Sequence, residues 1–159
     1  MRLVFIFLMF STFLSAQEIE EVREFYNKLS LSYTNLTVED MMLTYSDRAS
    51  MFRSNRNNFI EVINNNDEVS KYFSDFFLPV SKEKKKIAYN VKINGVRKLE
   101  NQYLVSGYQN IAISNDAGYL FEDLAAFTHV WVYDTSEWKI LYDTVIPVGK
   151  EEFERAITK

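Results

Sequence analysis

The sequence predicts an α+β domain, with three helices in its N-terminal half packed on a curved antiparallel sheet of four to six strands. Three observations carry that prediction. Residues 127–146, FTHVWVYDTSEWKILYDTVI, hold two alternating aromatic and β-branched runs around a polar turn at residues 134–137, the pattern of a hairpin with one face in a core. Upstream, apolar residues recur at helical spacing, and the period switches to two after a lysine-rich connector at residues 82–86. Helices and strands segregated in this way lie in separate layers, helices over one face of the sheet.

Each element follows in order. Ile19, Val22, Tyr26 and Leu29 recur at helical spacing with Phe25 beside them, which predicts a first amphipathic helix over residues 18–32. Thr37, followed three residues later by Asp40, reads as an N-cap, and Val38, Met41, Met42 and Tyr45 continue a helical stripe ending near Tyr45. Residues 49–53 alternate weakly as a short strand, and residues 55–58 are polar enough for a turn. A third helix opens with Asp67 and Glu68 in its first turn, carries Val69, Tyr72, Phe73, Phe76 and Phe77 on one face, and is expected to stop at Pro79.

Ile87, Tyr89, Val91 and Ile93 then alternate with polar neighbours, and Asn94-Gly95 is a strong hairpin signal. Tyr103, Val105, Gly107, Gln109, Ile111 and Ile113 share one face of the next strand, where Gly107 suggests a bulge or bend. Residues 115–118 form another turn, strands over 121–133 and 138–146 complete a meander, and a polar tail after Pro147 has room for one helical turn. A sheet bent in this way encloses a cone, with a cavity expected at its mouth.

The first 16 residues read differently. Met1-Arg2 is a short basic start, residues 3–14 are almost wholly apolar, and Leu14-Ser15-Ala16 offers a small residue at a cleavage point before Gln17. That is the layout of a secretory signal peptide, too short in its apolar core for the roughly 20 residues of a spanning helix. The expected product is an exported, periplasmic or secreted, single domain over residues 17–159. The chain has no cysteine, so in an oxidising compartment it depends on its core alone.

Composition removes several function classes. The net charge of −4 becomes one unit more negative with the loss of Arg2, which argues against nucleic-acid and membrane-surface partners. Lys82, Lys84, Lys85 and Lys86 are the local exception, interrupted by Glu83 and read as a solvated connector. One histidine and no cysteine build no usual zinc site, and the acids lack calcium-loop spacing, so no metal or other cofactor is expected. The four glycines form no phosphate-binding run. His129 is the sole histidine and the one group with an ordinary pKa near neutrality; it shares a strand face with Phe127, Trp131 and Tyr133.

The order of elements, the phrase Tyr45-Ser46-Asp47-Arg48-Ala49 and the closing hairpin with Trp138-Lys139-Ile140 resemble the nuclear transport factor 2-like superfamily. That superfamily holds ketosteroid isomerases, SnoaL-like polyketide cyclases and many non-enzymatic members on a cone-shaped, cystatin-like fold. By this resemblance, the position of the isomerases' carboxylate base falls on Arg53, and arginine accepts no proton at neutral pH. The second acid's stretch corresponds to residues 129–134, putting His129 where a hydrogen-bond donor would stand, and Tyr26 is the nearest match for the helix-one tyrosine. Asp47 matches a family position read as structural. The resemblance also implies pairing of two copies through the sheet face.

The expectation is therefore a SnoaL-like domain that binds a small apolar ligand or a protein partner without catalysis, using Tyr26, Arg53, His129, Tyr45 and Trp131. The alternatives are an isomerase, cyclase or dehydratase with His129 as acid/base on a carbonyl substrate, and an interaction or neutralising subunit.

Overall fold

The computed structural model describes residues 16–54 and 60–158. The expected leader, apart from Ala16, and the expected turn at 55–58 lie outside the described residues. Among the described residues, four helices and six strands follow in the order α1 (Ala16–Asn35), α2 (Val38–Met42), β1 (Tyr45–Ser54), β2 (Ile60–Asn64), α3 (Asn65–Lys82), β3 (Lys86–Leu99), β4 (Gln102–Asn115), β5 (Gly118–Asp134), β6 (Glu137–Pro147) and α4 (Lys150–Ile157).

The sheet order is β2-β1-β6-β5-β4-β3. The meander from β3 to β6 is antiparallel as predicted, but β1 joins β6 in parallel, so the sheet is mixed. The predicted inward face of β4 holds: Tyr103, Val105, Gly107, Gln109 and Ile111 are buried and their neighbours less so. On the concave side α1 and α3 close over a core that includes Leu29, Tyr33, Phe73, Phe77, Tyr89, Phe127 and Trp131, all less than a tenth exposed. The interior of the cone is thus largely filled by rings, with Tyr33 stacked on Tyr89 at 4.5 Å. Helix α4 packs instead on the convex side, where Phe153 meets Tyr108 edge to face and Lys92 Nζ donates to the α4 carbonyls of Ala156 and Ile157.

Several sequence-based expectations are corrected. Helix α2 ends at Met42, and the phrase from Tyr45 to Ala49 begins strand β1 rather than closing a helix. Thr37 makes no cap bond to the backbone; its hydroxyl donates to Asp40 Oδ2 at 2.6 Å. Strand β2 was not anticipated. Helix α3 runs past Pro79 to Lys82, because a proline in a last turn forfeits one hydrogen bond in a helix already anchored by its buried face.

Asn94-Gly95 is not a hairpin turn either. Strand β3 continues to Leu99, and Asn94 is an extra residue between the pairs Ile93↔Gly107 and Gly95↔Ser106. The turn comes at residues 100–101, with Glu100 at a φ of 44°. Gly107 lies opposite that bulge, where a Cβ would stand 2.1 Å from the Lys92 carbonyl oxygen; glycine is the residue that permits this approach. The predicted turn before Trp138 is present, with Thr135 and Ser136 both at positive φ, as a two-residue type I′ hairpin requires. The C-terminal tail forms two helical turns instead of one.

Candidate functional site

Asp143 stands at the centre of the polar cluster inside the cone. Strand alternation alone would turn it outward with respect to Ile140, but Leu141 is an extra residue between the pairs Trp131↔Ile140 and Val130↔Tyr142. That bulge brings Ile140, Asp143 and Val145 all into the core. It also sets Asp143 directly across from His129. On the other flank β1 lies parallel to β6, pairing Met51 with Asp143 and Arg53 with Val145, so the arginine reaches back along the strand.

Four side chains converge here, three of them on the carboxylate of the fourth. Arg53 grips Asp143 as a fork, Nη1 to Oδ1 at 2.9 Å and Nη2 to Oδ2 at 2.5 Å. Tyr45 donates its hydroxyl to Oδ2 at 2.6 Å, and His129 Nε2 lies 3.2 Å from Oδ1. An ionised carboxylate offers about four lone-pair sites, and all are taken. Burial, the largest single influence, would raise the Asp143 pKa, but the Arg53 charge, His129 and the hydrogen bonds from both together outweigh it, and the carboxyl is held well below the ordinary range. Burial likewise opposes the Arg53 charge, and Asp143 more than restores it.

The ring of His129 is engaged at both nitrogens. Since ionised Asp143 only accepts, Nε2 carries a proton, and Nδ1 is hydrogen-bonded to the Tyr26 hydroxyl at 3.0 Å, the hydroxyl donating to a neutral ring and accepting from a charged one. Burial, and next the Asp143 charge, push the Tyr26 hydroxyl well above its usual pKa; burial does the same for Tyr45. Both keep their protons at neutral pH. Imidazole and carboxylate side chains are 2% and 3% exposed, and the guanidinium 15%.

Of the five residues expected at a ligand site, Tyr26, Arg53, His129 and Tyr45 are thus joined around Asp143. Trp131 packs behind Tyr26, its ring 4.0 Å from Phe25 and 5.5 Å from Tyr26. Asp47, read as structural, lies on β1 and accepts from Asn66 at the start of α3. Asp143 itself was not anticipated as a site residue, because the bulge that turns it inward leaves no mark in the alternation. Among the described residues no cluster of three His, Asp or Glu could hold a metal ion.

A groove of about 370 Å³ between α1 and β3 borders this cluster at Tyr26. It is lined by Ile19, Val22, Arg23, Tyr26, Asn27, Val91, Ile93 and Val96. Tyr26 is the residue shared by groove and cluster. Its other walls are mostly apolar, and Arg23 at the rim is tied to Glu20 at 2.6 Å. A more polar hollow of about 600 Å³ lies elsewhere, against α4, beside Lys92, Tyr108 and Arg155.

Similar architectures occur among solved structures. The protein Aln2 from a Streptomyces species superposes with a TM-score of 0.73 at 12% identity, over 90% of this chain and 98% of that one. A provisionally assigned dehydratase of the NTF2-like family from Streptomyces avermitilis gives 0.69 at 15% identity, over 85% and 99%. An NTF2-like protein of unknown function from Shewanella oneidensis gives 0.63 at 12% identity, over 80% and 97%. The chain has the nuclear transport factor 2-like fold. No family model matches the sequence, and no curated protein does. Within the nuclear transport factor 2-like fold, identities this low carry the architecture and not the chemistry.

Proposed function

We propose that this chain is an exported SnoaL-like domain that binds a small apolar molecule in the groove between α1 and β3 and performs no chemistry on it. The leader-like segment at residues 1–16 is the basis for export. The binding reading rests on the groove, whose volume falls at the small end of the roughly 300–1,000 Å³ range of ligand sites and whose walls are apolar with few polar groups. Absence of catalysis is supported by the saturation of Asp143 and the engagement of both imidazole nitrogens. A general base needs a free lone pair within reach of the proton it removes, and this cluster offers none.

The neutral probe N-phenyl-1-naphthylamine tests the reading. Its fluorescence is expected to rise on binding, to stay low with Val91→Trp, which fills the groove, and to be unaffected by His129→Gln. An equal rise with Val91→Trp in a folded variant would sink the proposal. One observation favours a second reading: Tyr26 links the groove wall to His129, so an imidazole protonated at both nitrogens would donate to the phenol oxygen and leave the hydroxyl proton for a bound carbonyl. On that reading, turnover of a carbonyl substrate disappears in His129→Gln while probe binding persists; equal turnover in the variant removes it.

A further inference from the structure

The end of the sheet farthest from the closing hairpin carries an unusual surface. Tyr119, Leu120 and Phe121 follow one another at the start of β5 and are 59%, 49% and 52% exposed. Leu120 is an extra residue there, since Ser114 pairs with Tyr119 and Ile113 with Phe121. Adjacent positions on β4 face opposite sides of a sheet, so the bulge sends the two rings to opposite faces of the hairpin tip. A flat partner docked on one face would leave the other ring in water. Immersion of the tip in an apolar medium covers both.

The lysine connector belongs to the same end. Lys86 pairs with Ser114, which pairs with Tyr119, so the three form one row across the sheet. Lys82, Lys84 and Lys85 lie within four residues of that row. The connector is fixed in place: Lys84 at a φ of 53° closes α3, with its N–H on the Ser81 carbonyl at 3.0 Å and the Lys85 N–H on the Val80 carbonyl at 2.9 Å. Lys82, Lys84 and Lys86 are exposed. Opposing them are Glu83, paired with Lys85, and Asp116, 3.6 Å from Lys86. Glu122 belongs to the tip as well, its carboxylate accepting from the Tyr119 hydroxyl, and Asp123 follows it on β5. Four lysines against three acids leave this end with a small local excess of positive charge on an acidic molecule, carried by Lys82 and Lys84.

From this juxtaposition we propose that the β4–β5 tip and the lysine connector form a peripheral docking site for an anionic lipid bilayer, the aromatic tip entering the interface and the lysines meeting the headgroups. Tyrosine is at home at the membrane–water interface, and clustered lysines beside apolar side chains are the chemistry that recognises anionic lipid. The negative charge of the whole chain speaks against membrane association only if it is evenly spread, and here it is not.

The chain has no cysteine, so Ala117→Cys at the turn of this hairpin gives one attachment point for an environment-sensitive fluorophore in the full chain. With vesicles half phosphatidylglycerol and half phosphatidylcholine, its emission is expected to rise and shift to the blue. The response should vanish with pure phosphatidylcholine, at high salt, and in a folded Lys84→Glu/Lys86→Glu variant. A label that stays in water with anionic vesicles overturns the proposal. So does a response that persists in neutral vesicles and in the lysine variant, or one produced only by added protein.

Discussion

At the scale of single residues, Asp143 organises the interior. Arg53→Met would leave the carboxylate buried without its counter-ion, and removal of one partner from such a pair costs about 3–5 kcal/mol. We expect a correspondingly lower urea midpoint, and partial recovery in Arg53→Met/Asp143→Leu, where neither charge remains. The pH dependence has a definite sign. An aspartate in the unfolded chain titrates near about 3.9, and Asp143 in the fold is held well below that. Its contribution is therefore complete above about pH 4 and drains away as acid carries the pH down toward the folded value. Thermal unfolding from pH 7 to pH 2 should fall more steeply in the wild type than in Asp143→Asn. Equal slopes would mean that the pair contributes nothing. His129 was legible in the sequence as the sole histidine in an aromatic strand, and Tyr26 and Arg53 through the resemblance. Asp143 was not, since it appears as one acid among 22 in the sequence.

At the scale of elements, the strands were readable wherever period-two alternation was unbroken, as in β4, and misleading wherever a bulge shifted it. Asn94-Gly95 shows why. Its local preference is for a tight turn, but turning there would abandon the ladder that pairs residues 95–99 with 102–106. The longer pairing prevails, and the glycine serves as part of a bulge. Helix α2 was overextended because Tyr45 keeps helical spacing with Met41, although its side chain is buried from a strand. The same region yields a graded prediction. Gly107→Ala places a methyl against backbone, 2.1 Å from the Lys92 carbonyl, whereas Gly95→Ala meets only the movable Ser106 hydroxyl at 3.0 Å. Thermal melts should show Gly107→Ala destabilised by about 1–3 kcal/mol and Gly95→Ala much less affected. Equal effects would show that the bulge gives way easily.

At the scale of the whole molecule, the two sides of the sheet are unequally covered. Helices α1 to α3 close the concave side, whereas on the convex side α4 sits near Tyr108. The rows formed by Val62, Phe52 and Thr144, and by Ser50, Tyr142 and Val130, run over the β2-β1-β6 half, where Ile60, Val62, Tyr142 and Ile146 are 43–68% exposed. An apolar patch of this kind usually marks association, and we propose that two copies pair through it. Sedimentation velocity should then detect a dimer that Tyr142→Glu converts to a monomer. A wild-type chain that stays monomeric at high concentration would refute pairing. Helical spacing and alternation told which faces are apolar, but not which of them another molecule covers.

The parallel pairing of β1 with β6 also governs when folding can finish. The bonds from Tyr26 to His129, Tyr45 to Asp143 and Arg53 to Asp143 join residues 103, 98 and 90 positions apart, and contacts this remote form slowly because the intervening loop must be ordered first. Until the last strand arrives, Arg53 has no anion to meet and the helices have no completed sheet to close over. Acquisition of native structure is thus tied to delivery of strand β6, and a chain interrupted before Asp143 stays open to proteolysis.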